Sequence, residues 1–114
     1  MFAVDGGSTQ GVAQVMKKYN LTQQGVKAGG FDLLEPTIQL LAQNQIEFTI
    51  DQQPYLQGFL PILELFMYKA SQTLSGTFDA NTGLKFVTQQ TVKPYVTTNS
   101  RFEGTTTAAG VARS

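Results

Sequence analysis

The chain has 114 residues, with eight basic and eight acidic side chains and neither histidine nor cysteine. That length suits one small domain and not two. Balanced charge leaves no electrostatic footprint for nucleic acid or an anionic membrane, and the absent His and Cys exclude thiol nucleophiles, disulfides, thiolate metal sites and His-based acid–base arrangements.

Phe2-Ala3-Val4 reads as a short buried strand that ends in the turn Asp5-Gly6-Gly7-Ser8-Thr9. Ser8 or Thr9 is placed to cap a helix over 10–19. Val12, Val15, Met16 and Tyr19 give that helix one apolar face, and Lys17 and Lys18 suit its last turn. Residues 25–31 read as a second strand, whose small side chains admit a close neighbour. Pro36 fits the first turn of a second helix buried through Leu34, Ile38, Leu40 and Leu41. Ile46-Glu47-Phe48-Thr49-Ile50 alternates and reads as a third strand.

Pro54 opens a third helix over 55–71, in which Pro61 should introduce a kink or mark the true first turn. Phe59, Leu60, Ile62, Leu63, Leu65, Phe66, Met67 and Tyr68 make it apolar nearly all round. Such a helix calls for burial on more than one side, and the two preceding strand–helix units look too small to provide it. A fourth strand over 84–88 and one helical turn over 91–96 follow a turn-rich stretch at 75–83. The predicted fold is α/β: a partial doubly wound parallel sheet, βαβαβαβ, over 1–96, with a flexible tail over 97–114.

Asp5, Asp32 and Gln52 stand just past the first three strands. Ligands of open parallel sheets bind at the carboxyl ends of the strands, and adjacent strands lie about 4.8 Å apart. Two carboxylates and an amide can therefore grip a polyol, with Phe31 or Tyr55 as an apolar wall. The same residues also serve as ordinary helix caps and turn formers. Gly6-Gly7-Ser8-Thr9 could alternatively cradle a phosphate, although the P-loop lysine is missing. Asp5 with Asp32, or Asp32 with Glu35, is a poor acid–base pair, because nothing nearby separates their pKa values. Neither an enzyme activity nor a metal or cofactor is expected.

Gly30-Phe31-Asp32, followed by Thr49-Ile50-Asp51-Gln52-Gln53-Pro54-Tyr55 and later by Val92-Lys93-Pro94-Tyr95 and Ser100-Arg101-Phe102-Glu103-Gly104, carries a resemblance. The chain resembles the C-terminal part of the type I periplasmic sugar-binding proteins of bacterial ABC transporters, in the ribose-binding and LacI-like group. The resemblance implies binding of a pentose or hexose through Asp5, Asp32 and Gln52, with Phe31 near the ring, and delivery to a membrane permease. It also implies a periplasmic location, although no export signal is read at Met1-Phe2-Ala3-Val4-Asp5. No DNA-binding helix-turn-helix is read, which sets LacI-type regulators aside. The family's chains are more than twice as long and have two lobes. A truncated homologue would therefore bind sugar weakly or not at all. It would homodimerise, or associate with the missing N-terminal part, through Phe59, Leu63 and Phe66.

Overall fold

The computed structural model describes residues 1–73 and 79–97. In chain order the elements are α1 (Gly6–Lys18), β1 (Gly29–Phe31), α2 (Glu35–Ala42), β2 (Phe48–Asp51), α3 (Pro54–Ser71), β3 (Lys85–Thr88) and α4 (Lys93–Thr97). The tail expected beyond Thr97 lies outside the described residues.

The expected α/β architecture is present. The three strands lie side by side in the order β1-β2-β3. β1 and β2 run parallel, pairing Gly29 with Phe48, Gly30 with Thr49 and Phe31 with Ile50. The expected first strand shrinks to one parallel bridge between Phe2 and Gly29. It is held by Ala3 N–H on Gly29 O at 3.0 Å and Gly29 N–H on Met1 O at 3.1 Å.

Several boundaries differ from expectation, each for a local reason. α1 begins at Gly6 rather than near residue 10, because Asp5 supplies the cap in place of Ser8 or Thr9. Its inward face is Thr9, Ala13 and Met16, while Val15 and Tyr19 are exposed. β1 begins at Gly29 rather than residue 25. Gly25 has φ +82° and donates to Thr22 O, which makes it part of a turn and not of a strand. α3 runs as one element from Pro54 to Ser71, with Pro61 inside it.

Side chains alternate across a strand, and here the two sheet faces differ in character. A Cβ on Gly30 would meet Thr9 Oγ1 at 2.2 Å, so α1 lies directly over that face. Ala13 and Met16 of α1, Ile38, Leu40 and Leu41 of α2, Ile46, Val87 of β3 and Tyr95 of α4 form the core on this side. Phe48 and Phe86 alternate with the fully buried Thr49 and Val87 and so point to the other side.

The chain divides into two compact units. The first is Met1–Asp51 together with the residues from Phe86 on, and it holds the sheet, α1, α2 and α4. The second is Gln52–Lys85, built on α3, which buries none of its side chains.

Candidate functional site

Asp5 has extended backbone, φ −149°, and forms the N-cap of α1. Its Oδ1 accepts the Ser8 N–H at 2.9 Å and its Oδ2 accepts the Ser8 hydroxyl at 2.7 Å. Its carbonyl accepts Thr9 N–H at 2.9 Å and the Thr9 hydroxyl at 2.7 Å. The backbone hydrogen bond from Ser8, followed by its hydroxyl, holds the Asp5 carboxyl below the usual carboxylate range, with a smaller contribution from Gly7 N–H. Asp5 is exposed, and a carboxylate has about four acceptor sites, more than the Ser8 and Gly7 donors fill.

Asp32 reaches the same helix end from β1. It sits at φ +73°, a left-handed conformation that few non-glycine residues adopt. Two bonds from β2 fix it there: Asp32 N–H donates to Ile50 O at 2.9 Å, and the Thr49 hydroxyl donates to Asp32 O at 2.7 Å. A Cβ placed on Gly6 would lie 3.0 Å from Asp32 Oδ2 and 3.2 Å from its Cβ. Asp32 therefore packs against the first residue of α1, one position from Asp5. Asp5 as cap and Asp32 beside Gly6 both stand at the start of α1, where the backbone dipole favours negative charge. Left-handed strain at such a point is a common mark of a ligand site.

Thr9 welds the helix to the strand behind these carboxylates. Its Oγ1 accepts Phe31 N–H at 2.9 Å while donating to Asp5 O. The Phe31 ring leaves on the opposite face of the sheet from Gly30 and packs edge-on against Phe2, with centroids 5.7 Å apart at 73°. The structure thus places Asp32 against Gly6, the residue after Asp5, and sends the Phe31 ring to the opposite face of the sheet from Gly30.

Gln52 opens the second unit. Its carbonyl accepts Gln57 Nε2 at 2.8 Å and the Thr82 hydroxyl at 3.1 Å. Gln53 takes φ +56° and donates its Nε2 to Thr82 O at 2.8 Å. Tyr55 is exposed and stacks on Phe59, with centroids 6.4 Å apart. Thr49 and Asp51 were not singled out from the sequence, and Thr9 was expected as a cap or phosphate-loop residue and not as a buried brace. Thr9 and Thr49 are fully buried hydroxyls whose role is to fix backbone, and Asp51 ends β2 as a buried carboxylate 3.4 Å from the Tyr95 hydroxyl. The alternation of Ile46-Glu47-Phe48-Thr49-Ile50 put Thr49 in the polar, outward set, so it held no signal for the burial of Thr49.

Among the described residues, no three acidic side chains gather as metal ligands, and no helix is long and apolar enough to cross a membrane.

No family model matches the chain. Over 112 residues, 95% of its length, it is 47% identical to the xylose/arabinose-binding protein XylF of Sulfolobus acidocaldarius. The chain is thus similar, along nearly its whole length, to one segment of a sugar-binding protein. Solved structures agree. A carbohydrate transporter solute-binding protein of Agrobacterium radiobacter, in complex with D-arabinose, superposes with a TM-score of 0.70 at 26% identity over 83% of this chain. A carbohydrate transporter of Acidothermus cellulolyticus, in complex with myo-inositol, shares the fold with a TM-score of 0.67 at 23% identity, again over 83% of this chain. The chain spans 28% of the length of the first protein and 32% of each solved structure.

Proposed function

We propose that this chain supplies part of the monosaccharide site of a solute-binding protein for carbohydrate uptake, with a pentose as the first ligand to test. The observation that carries the reading is the packing of Asp32 against Gly6, the residue that follows the capping Asp5. Carboxylates only accept hydrogen bonds when ionised, and a sugar offers hydroxyl donors in neighbouring pairs. The xylose/arabinose-binding relative and the D-arabinose complex point to the same ligand class. Gln52 and Phe31 remain candidates through their places at the ends of β2 and β1 and through the family resemblance. The role is binding without chemistry, a membrane permease is the expected recipient of the sugar, and the expected location is periplasmic.

Calorimetric titration of the chain with D-xylose, L-arabinose and D-arabinose tests this reading. Asp32→Ala should abolish the heat seen with the preferred sugar. Unchanged affinity removes Asp32 from the site.

A second reading rests on α3. Phe59, Ile62, Leu63, Leu65 and Phe66 are all exposed on a helix with no buried side chain. Exposed apolar surface of that extent favours association, either as a homodimer or with a complementary part of the fold, through Phe59, Leu63 and Phe66. A melting temperature that rises with protein concentration supports it. The phosphate reading has less in its favour: an anion arriving at the start of α1 would meet the carboxylates of Asp5 and Asp32. Stabilisation by Mg-ATP without stabilisation by sugar would restore it.

A further inference from the structure

Asn20-Leu21-Thr22 follows the Asn-X-Ser/Thr pattern, with leucine and not proline in the middle. Of the four asparagines, at positions 20, 44, 81 and 99, Asn20 alone has Ser or Thr two places on. The fold sets this tripeptide at the surface. Asn20 follows the C-cap Tyr19 of α1 at φ +52°, a left-handed conformation that asparagine tolerates and that stops the helix. It is held there through its backbone: Asn20 N–H donates to Lys17 O at 3.3 Å, and Asn20 O accepts Gln23 N–H at 3.2 Å. Its side chain is exposed, and the carboxamide makes no hydrogen bond to the described residues. The Thr22 hydroxyl donates to Gln45 O at 3.1 Å, 23 residues further along the chain. Until Gln45 has folded against it, that hydroxyl is open to an enzyme reading the tripeptide.

We propose that Asn20 is an acceptor site for an N-linked oligosaccharide, added as the chain is carried across a membrane. The donor is an oligosaccharide joined through its first sugar to a lipid diphosphate. Nδ2 of Asn20 attacks C1 of that sugar and forms the N–C1 bond. The bond from C1 to the phosphate oxygen breaks, and the lipid diphosphate leaves with its electron pair. Nδ2 gives up one proton to a base of the transferase and keeps the other. The inference rests on the extracytoplasmic location proposed above, because this modification belongs to surface loops of exported proteins. The place also spares the candidate sugar site. α1 has 13 residues, about 20 Å at the helical rise. Asp5 and Asp32 stand at its start and Asn20 just past its end, so the oligosaccharide is attached a helix length away from them.

The test is secretion of the full chain from yeast behind an export signal, followed by mass spectrometry of the intact protein and its peptides. The mass should exceed that of the polypeptide by N-acetylhexosamine and hexose residues. Peptide N-glycosidase should remove the excess and leave aspartate at position 20. Asn20→Gln and Thr22→Ala should each abolish the added mass, and Thr22→Ser should keep it. A secreted chain of unmodified mass overturns the proposal, as does added mass that survives Asn20→Gln. The export signal is supplied, so these outcomes do not depend on the sugar reading. A glycosylated chain that gives no heat with any pentose, with Asn20→Gln giving none either, counts against the sugar reading alone.

Discussion

Asp32 packs against Gly6 so closely that a methyl group on Gly6 would lie 3.0 Å from Asp32 Oδ2 and 3.3 Å from Leu34 Cδ1. The absence of a side chain at Gly6 is what lets the carboxylate settle beside the start of α1. Gly6→Ala should therefore separate stability from binding. Alanine favours a helix over glycine by about 1 kcal/mol, which offsets the crowding, so urea denaturation should show little net change. Sugar affinity should fall at least tenfold, because the displaced group is the Asp32 carboxylate. Calorimetry on the same sample reads the second effect.

Thr49 is fully buried and its hydroxyl holds Asp32 O. Thr49→Val keeps the shape and leaves that carbonyl without its donor. The expected loss is about 1–3 kcal/mol of stability by urea denaturation. Thr49→Ser retains the donor and should lose less. Equal losses would show that the methyl group, not the hydrogen bond, is the important part.

Gly30→Ala drives a methyl group to within 2.2 Å of Thr9 Oγ1 and 2.8 Å of Thr9 Cγ2. Thr9 is held by Asp5 O and Phe31 N–H and cannot move without breaking both bonds. Overpacking of this kind costs about 1–3 kcal/mol. The variant should melt lower than Gly6→Ala, where the nearest atom is 3.0 Å away and not 2.2 Å.

Acid should weaken the start of α1. The Asp5 carboxyl is held below its ordinary value by Ser8, so its ionised form is favoured in the folded state. That contribution is complete above the unfolded value of about 3.9 and is lost as the pH falls through the lower folded value. The wild-type melting temperature should drop through this acid range. Asp5→Asn, which can still cap but does not titrate there, should show a shallower drop.

Pro61 occupies an exposed position in the middle of α3 and offers no N–H to the preceding turn. Pro61→Ala should make α3 more stable, with slower amide exchange over 57–65. An unchanged exchange pattern would mean that the helix end, and not Pro61, sets where it opens.

Much of this organisation could be read from the residues. The Phe31-Asp32 and Gln52-Gln53-Pro54 stops placed the ends of β1 and β2, and Pro36 and Pro54 placed the starts of α2 and α3. What escaped was settled by contacts distant in sequence. Spacing alone cannot choose between Asp5, Ser8 and Thr9 as the cap of α1, since all three side chains can accept a helix N–H. The structure gives that place to Asp5 because Thr9 is drawn down onto Gly30 and Phe31. Likewise, residues 25–28 look like strand until Gly25 turns, and the inward face of α1 keeps Met16 and the partly buried Val12 of the expected set but adds Thr9 and Ala13, while Val15 and Tyr19 are exposed. Size and hydrophobicity placed the face near Met16, and the hydrogen bond from Phe31 N–H turned it toward Thr9.

The first unit is discontinuous along the chain, and this has a consequence for how it is made. Val87, Val92 and Tyr95 belong to the same core as Ala13, Met16 and Ile38. During synthesis the first 51 residues emerge without them, so the nascent sheet lacks β3 and the pocket for Tyr95 stands empty. The Asp51 carboxylate meets no Tyr95 hydroxyl until the intervening 34 residues, Gln52–Lys85, have also been made. Contacts that close such long loops form late. The interval between the two arrivals is when the apolar core is open to water, to chaperones and to neighbouring nascent chains.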